Sequence, residues 1–175
     1  VRVLWDIENI GIPKGMEPVD VVDQLVQFLD SNGLSGVGVD TRISAFCRPT
    51  GSKFSQKISG ELGKTRVEVI VCNSKKEDAD RKIVDRIDNE RAILVPSKTS
   101  FILISSDRDF CRVMSSLKNA GFYSAVIHHI PDSPANESWL QAIKLCCNKV
   151  IFWDDIVKPA PRGPEGSADT DVADT

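Results

Sequence analysis

No stretch of this 175-residue chain approaches the ~20 consecutive apolar residues that a membrane-spanning helix needs. It has no collagen-like or heptad period and no internal repeat. Its five cysteines (Cys47, Cys72, Cys111, Cys146 and Cys147) are scattered, odd in number and form no C-x-x-C. That argues against a disulfide framework and a zinc ribbon, and the expected setting is an intracellular, reducing compartment: cytoplasm, nucleus or mitochondrion. Aromatic residues make up only 6%, so a base-stacking platform is not expected. There is no G-x-S-x-G elbow, Walker A loop or G-x-G-x-x-G turn, which removes the usual serine-hydrolase and nucleotide-cradle readings.

What is present is an ordinary globular composition, 41% hydrophobic and 27% charged with a net charge of −3. The length suits one domain with a substantial core. The chain opens at Val1 inside a strand-like run without a Met, which reads as a domain taken from a longer protein. The domain is expected to span residues 1–157. The tail 158–175 has no aromatic residue, three prolines and an excess of acidic over basic residues; it is expected to be disordered. Without it, residues 1–157 carry 20 basic and 21 acidic side chains, a net of −1.

Strand-like and helical patterns alternate along residues 1–157. Strands are predicted at 1–5, 40–47, 67–72, 101–106, 122–129 and 150–153. Helices are predicted at 18–32, 52–63, 78–90, 109–120 and 136–147, with a loop at 91–100. Alternation of this kind predicts an α/β fold with a mainly parallel central sheet and helices on both faces, a Rossmann-like three-layer sandwich.

Such sheets bind ligands beyond the carboxyl ends of their strands, where the strand order reverses. Acidic residues leave three of the apolar strands there. Asp6 follows the first strand in WDIEN, Asp107 and Asp109 follow FILISS in SSDRDF, and Asp78 and Asp80 open the helix after the third strand. If the first and FILISS strands are neighbours, Asp6, Asp107 and Asp109 converge. Carboxylates brought that close repel unless a cation intervenes. An oxygen-only donor set suits Mg²⁺ or Mn²⁺, and the chemistry it best supports is phosphodiester hydrolysis. Asp78 has the simplest alternative role, as a helix cap.

W-D-I-E-N after the first strand, D-R-K-I on the helix after the third, and S-S-D-R-D-F after the fourth together resemble the NYN domain of the PIN-like nucleases, in particular the limkain-type members. The resemblance covers residues 1–157 and implies a metal-dependent endoribonuclease with a parallel sheet of about five strands. Asp6, Asp80, Asp107 and Asp109 would be the acidic metal-binding and catalytic set, with Asn9 their polar partner. Ser105 and Ser106 would lie on the substrate side. Asp80 is preferred over Asp78 because Asp80 and Ile83 fit the family's D-x-x-apolar spacing. Arg108 departs from the pattern and is expected either to pair with Asp107 or Asp109, masking the site, or to reach a phosphate.

The partner expected is single-stranded or flexible RNA. Residues 42–98 hold 13 Lys/Arg against eight Asp/Glu, enough for salt-sensitive phosphate binding, with Lys75 and Lys76 best placed. His128 and His129 end a strand on the same side; one is expected to be packed and one exposed. Two rival readings accompany the nuclease. One is a catalytically weak or inactive RNA-binding scaffold. The other is a phosphatase-like hydrolase with Asp6 as nucleophile, disfavoured by Glu8 standing where such enzymes carry a second Asp.

Overall fold

The computed structural model describes residues 1–48, 53–73 and 77–159. Lys75, Lys76 and the tail from residue 160 lie outside the described residues, as do the side chains at 53–55, 134–136 and 139. The elements are β1 (Arg2–Asp6), α1 (Pro18–Ser31), β2 (Arg42–Cys47), α2 (Lys53–Leu62), β3 (Val67–Val71), α3 (Asp78–Arg91), β4 (Ser100–Ile104), α4 (Cys111–Asn119), β5 (Tyr123–His128), α5 (Pro134–Cys146), β6 (Lys149–Phe152) and α6 (Trp153–Ile156).

Among the described residues six strands form one sheet in the order β3-β2-β1-β4-β5-β6, with every pairing parallel. The chain builds outward from β1 to β3, then returns to place β4 on the free side of β1. The switch point lies between β1 and β4, and the sheet has one strand more than the family resemblance implied.

The strands alternate between two cores because successive side chains point to opposite faces. Val3 and Trp5 of β1 join Ile102 and Ile104 of β4 beneath α1, α2 and α6, where Val22, Leu25, Leu29 and Leu62 cover them. Leu4 joins Phe101 and Leu103 on the other face, covered by Ile83, Ile87, Met114, Leu117 and Ile143 of α3, α4 and α5. With both faces covered, the strands are nearly continuous apolar runs, as parallel strands are.

Gly33 and Gly121 end α1 and α4 at φ 66° and 85°. In each case the amide that follows donates to a carbonyl one turn back, Leu34 to Leu29 at 2.9 Å and Phe122 to Leu117 at 3.1 Å, the Schellman arrangement that needs a left-handed residue.

Most predicted boundaries shift by a residue or two, and four differences go further. The 91–100 segment contains a short 3₁₀ turn at Pro96–Lys98. A second 3₁₀ turn, Arg108–Phe110, precedes α4 and delays its start to Cys111. FILISS leaves the strand after Ile104, which frees Ser105 and Ser106 to serve the site. Trp153, predicted as the end of the last strand, instead opens α6 and turns its buried ring against Trp5 at 5.3 Å.

Candidate active site

Register puts the acids together. Trp5 is level with Ile104, so the next residues along, Asp6 and Ser105, stand side by side. The Ser105 hydroxyl donates to Asp6 Oδ2 at 3.1 Å and accepts from the Asp107 amide at 3.1 Å. Asp107 Oδ1 then accepts from the Asp109 amide at 2.9 Å, capping the turn that follows β4. Asn9 joins the two loops by accepting the Ser106 amide on Oδ1 at 2.7 Å. The Asn9 and Ile10 amides both donate to the Asp6 carbonyl, and the Trp5 indole donates to the Ile10 carbonyl at 2.6 Å. Ser105 is fully buried; its hydroxyl positions the two acids from inside the fold.

Asp6, Asp80 and Asp107, with Asn9, line a cavity of about 170 Å³ together with Glu8, Arg48 and Glu77. Asp109 faces the adjoining cleft between α3 and α4, about 490 Å³, which it shares with Asp80, Arg81 and Phe110. Asp6 is only 4% exposed. Burial pushes its carboxyl up to about 6, opposed by the Ser105 hydroxyl and helped by the nearby Asp80 charge. Asp80 is also raised, first by burial and then by repulsion from Asp107 and Asp109.

Asp78 has a different task. It accepts the Asn73 amide at 2.6 Å and pairs with Arg81 at 2.6 Å and Lys82 at 3.6 Å. The Asn73 amide, followed by Arg81, holds its carboxyl below the usual range. The first turn of α3 therefore points one Asp at a loop and the other at the acidic cavity. Glu77, just before it, adopts a left-handed φ of 73°, a conformation that costs a non-glycine residue about 1–3 kcal/mol and clusters at functional sites.

Other expectations resolve less simply. Arg108 is exposed and, among the described residues, forms no ion pair with Asp107 or Asp109, so the expected masking contact is not made. Much of the positive charge in 42–98 is paired: Arg48 with Glu8, Lys64 with Glu61, Arg86 with Glu68 and Glu90, and Arg91 with Asp88. His128 is buried, with Nδ1 2.5 Å from the His129 carbonyl, whereas His129 is half exposed and 3.7 Å from Asp154. Both line a separate cleft with Ser106, whose hydroxyl accepts the His129 amide.

Sequence reasoning missed the Glu8–Arg48 pair at the cavity wall, in which the Arg48 amide also donates to Glu8 Oε1 at 2.7 Å. The pair becomes legible only once β2 is known to lie beside β1. Asp6 is then level with Phe46, and the residues two beyond each meet.

Among the described residues no group of three or more His, Cys, Asp or Glu side chains closes around a single point as a metal cage would require. The donor chemistry nevertheless fits a hard divalent cation that keeps most of its waters and takes one or two carboxylates. Asp6 and Asp80 are partly desolvated and repel their neighbours, and among the described residues neither has a cation in ion-pair contact.

The structure is thus an α/β sandwich with carboxylates gathered at the switch point of its sheet. The NYN domain profile matches residues 1–154, and the chain belongs to the NYN domain family, within the PIN-like superfamily. NYN domains are generally nucleases with RNA-related functions. A crystal structure of a protein of unknown function from Vibrio parahaemolyticus shares the fold, with a TM-score of 0.60 at 17% identity over 88% of this chain and 92% of that one. Among curated proteins none matches.

Proposed function

We propose that this NYN domain is a divalent-metal-dependent endoribonuclease acting on single-stranded or flexible RNA in a reducing intracellular compartment. The observation that carries the reading is the convergence of Asp6, Asp80 and Asp107 on one cavity at the switch point, with Asp6 and Asp80 each raised first by burial and then by neighbouring carboxylates. Asp6, Asp80 and Asp107 would hold Mg²⁺ or Mn²⁺, with Asp109 contributing from the adjoining cleft. Such an ion, when bound, supplies a Lewis acid for the phosphoryl oxygens and makes water a stronger acid.

The chain's own residues do the rest. Ser105 fixes the Asp6 carboxylate, and the Asn9–Ser106 contact locks the β1 loop to the β4 loop, so that the acids meet the substrate already oriented. In the hydrolysis, a P–O bond to water forms as the P–O ester bond breaks, and the departing ribose oxygen ends protonated. The five free cysteines agree with the compartment proposed.

The test is cleavage of a labelled mixed-sequence single-stranded RNA in Mn²⁺, Mg²⁺ or EDTA, with Asp107→Asn alongside. Internal cuts that need metal and vanish in the variant are expected. A second reading, an RNA-binding scaffold with weak or no catalysis, is favoured by Asp109 facing a different cavity from Asp6 and Asp107. Salt-sensitive RNA binding without cutting in any metal would select it.

A further inference from the structure

A row of cavities leads away from the acidic centre on the face that carries α1 and α2. The acidic cavity shares Glu8 and Arg48 with a second cavity of about 320 Å³, mostly apolar, walled by Ile7, Ile58, Leu62 and Val69. That cavity shares Ile12 and Ile58 with a third, of about 420 Å³, whose rim carries Lys14 and Lys57. Three hollows that share walls in sequence form one groove, running between the β1–α1 loop and α2.

Charge along the groove favours a polyanion more than the other flanks of the centre do. Glu8 is neutralised by Arg48 and Glu61 by Lys64. Among the described residues Lys14 and Lys57 form no ion pair, and Glu17 is the remaining acid on that rim. The α3–α4 cleft instead presents Glu77, Asp80 and Asp109, its Arg81 being taken up by Asp78. The cleft beside His129 presents Asp132 and Asp154. Among the described residues, each of these clefts is lined by more acidic than basic side chains, whereas the groove offers a strand of phosphates two cations without an ion pair, Lys14 and Lys57.

We propose that this groove is the path of the RNA strand on one side of the acidic centre, a proposal that rests on RNA being the substrate. One nucleobase sits in the apolar cavity, where a flat ring loses water against Ile58, Leu62 and Val69 while its polar edge faces Arg48 and Glu8. The phosphates beyond it lie against Lys14 and Lys57. The size of the cavity falls within the ~300–1,000 Å³ usual for small-molecule sites, and its mixture of apolar walls with a few polar groups is what such sites use. Arg48, on the wall between centre and cavity, stands where the backbone must pass from one to the other.

The experiment measures binding of a short fluorescein-labelled mixed-sequence RNA in EDTA, so that cleavage does not intervene, across a range of KCl concentrations. Lys14→Gln/Lys57→Gln is expected to weaken binding several-fold at low salt. It should also make the slope of log K against log salt shallower by about 1.4, since each phosphate contact to a single strand contributes ~0.7. Lys144→Gln/Lys149→Gln, the same charge change near the opposite edge of the sheet, should do neither. RNA carrying 4-thiouridine should cross-link to the Ile7–Met16 loop or to Ile58–Leu62.

Equal losses in both double variants would overturn the proposal, as would an unchanged slope, cross-links confined to either acidic cleft, or no RNA binding by the unaltered protein. The nuclease reading separates cleanly. Metal-dependent cleavage with Lys14→Gln/Lys57→Gln binding as before removes the groove and leaves the nuclease. Weakened binding in that variant with no cleavage in any metal keeps the groove and removes the nuclease.

Discussion

Asp6 at the end of β1 and Asp78 in the first turn of α3 are almost equally buried, 4% and 5% exposed, yet their carboxyls shift in opposite directions. Asp78 has an amide and two cations around it and is held low. Asp6 has one hydroxyl and a neighbouring carboxylate and is pushed up to about 6. Burial by itself does not set the fate of a carboxylate; the groups buried with it do. One arrangement is satisfied and ties a loop to a helix. The other is left in want of a positive charge, as a binding centre is before its ligand arrives.

The largest expected effect would separate the two by activity. Asp6→Asn and Asp107→Asn should each reduce RNA cleavage by about 10²–10³-fold, the usual cost of removing one group that stabilises developing charge. Asp78→Ala should leave the activity of the folded protein far less changed. Quantified cleavage of labelled RNA checks both, and undiminished cutting in Asp6→Asn would dissolve the contrast.

Stability should separate them next, with opposite signs. Asp6 has a folded value of about 6 against an ordinary 3.8. Its contribution is therefore fully present below pH 3.8 and lost as pH rises through about 6. In EDTA, Asp6→Asn should gain on the unaltered protein between pH 4 and pH 8 by about 2 kcal/mol, because each tenfold change in proton affinity is worth ~1.36 kcal/mol. Denaturant midpoints at the two pH values measure this. No gain would mean that a cation already compensates Asp6.

For Asp78, whose carboxyl is lowered, the contribution is present above its ordinary 3.8 and lost as pH falls through the folded value. Asp78→Ala should lower the thermal midpoint at pH 7 and differ least from the unaltered protein in acid. It leaves the Asn73 amide without its acceptor, so the loss exceeds that of an ordinary surface ion pair. A midpoint unchanged at pH 7 would show that the Asn73 contact stabilises nothing.

The smallest effect is expected at Arg108. It is exposed and pairs with neither neighbouring acid among the described residues, so Arg108→Ser should barely alter cleavage in Mg²⁺ or Mn²⁺. A large rise would mean that the arginine swings onto Asp107 or Asp109 in solution and masks the centre.

The sequence alone determined the order of strands and helices, the parallel sheet and the acids that leave β1 and β4. These follow from local physics: apolar runs and helical spacing, glycine at the ends of α1 and α4, and short polar residues where strands stop. The final boundaries did not follow, because Ser105 and Ser106 look like strand until their hydrogen bonds draw them into the site. Tertiary structure alone decided that β4 returns beside β1, which brings Asp6 against Ser105 from 99 residues away. The family spacing already favours Asp80 over Asp78, and Asn73, Arg81 and Lys82 hold Asp78 by contacts local in sequence. What the tertiary structure decided is that Asp80 meets Asp6 and Asp107 in one cavity, because α3 packs against β1. It also placed Arg48 on Glu8 and opened the groove beyond that pair, because side chains distant in sequence meet only where parallel strands fix their register.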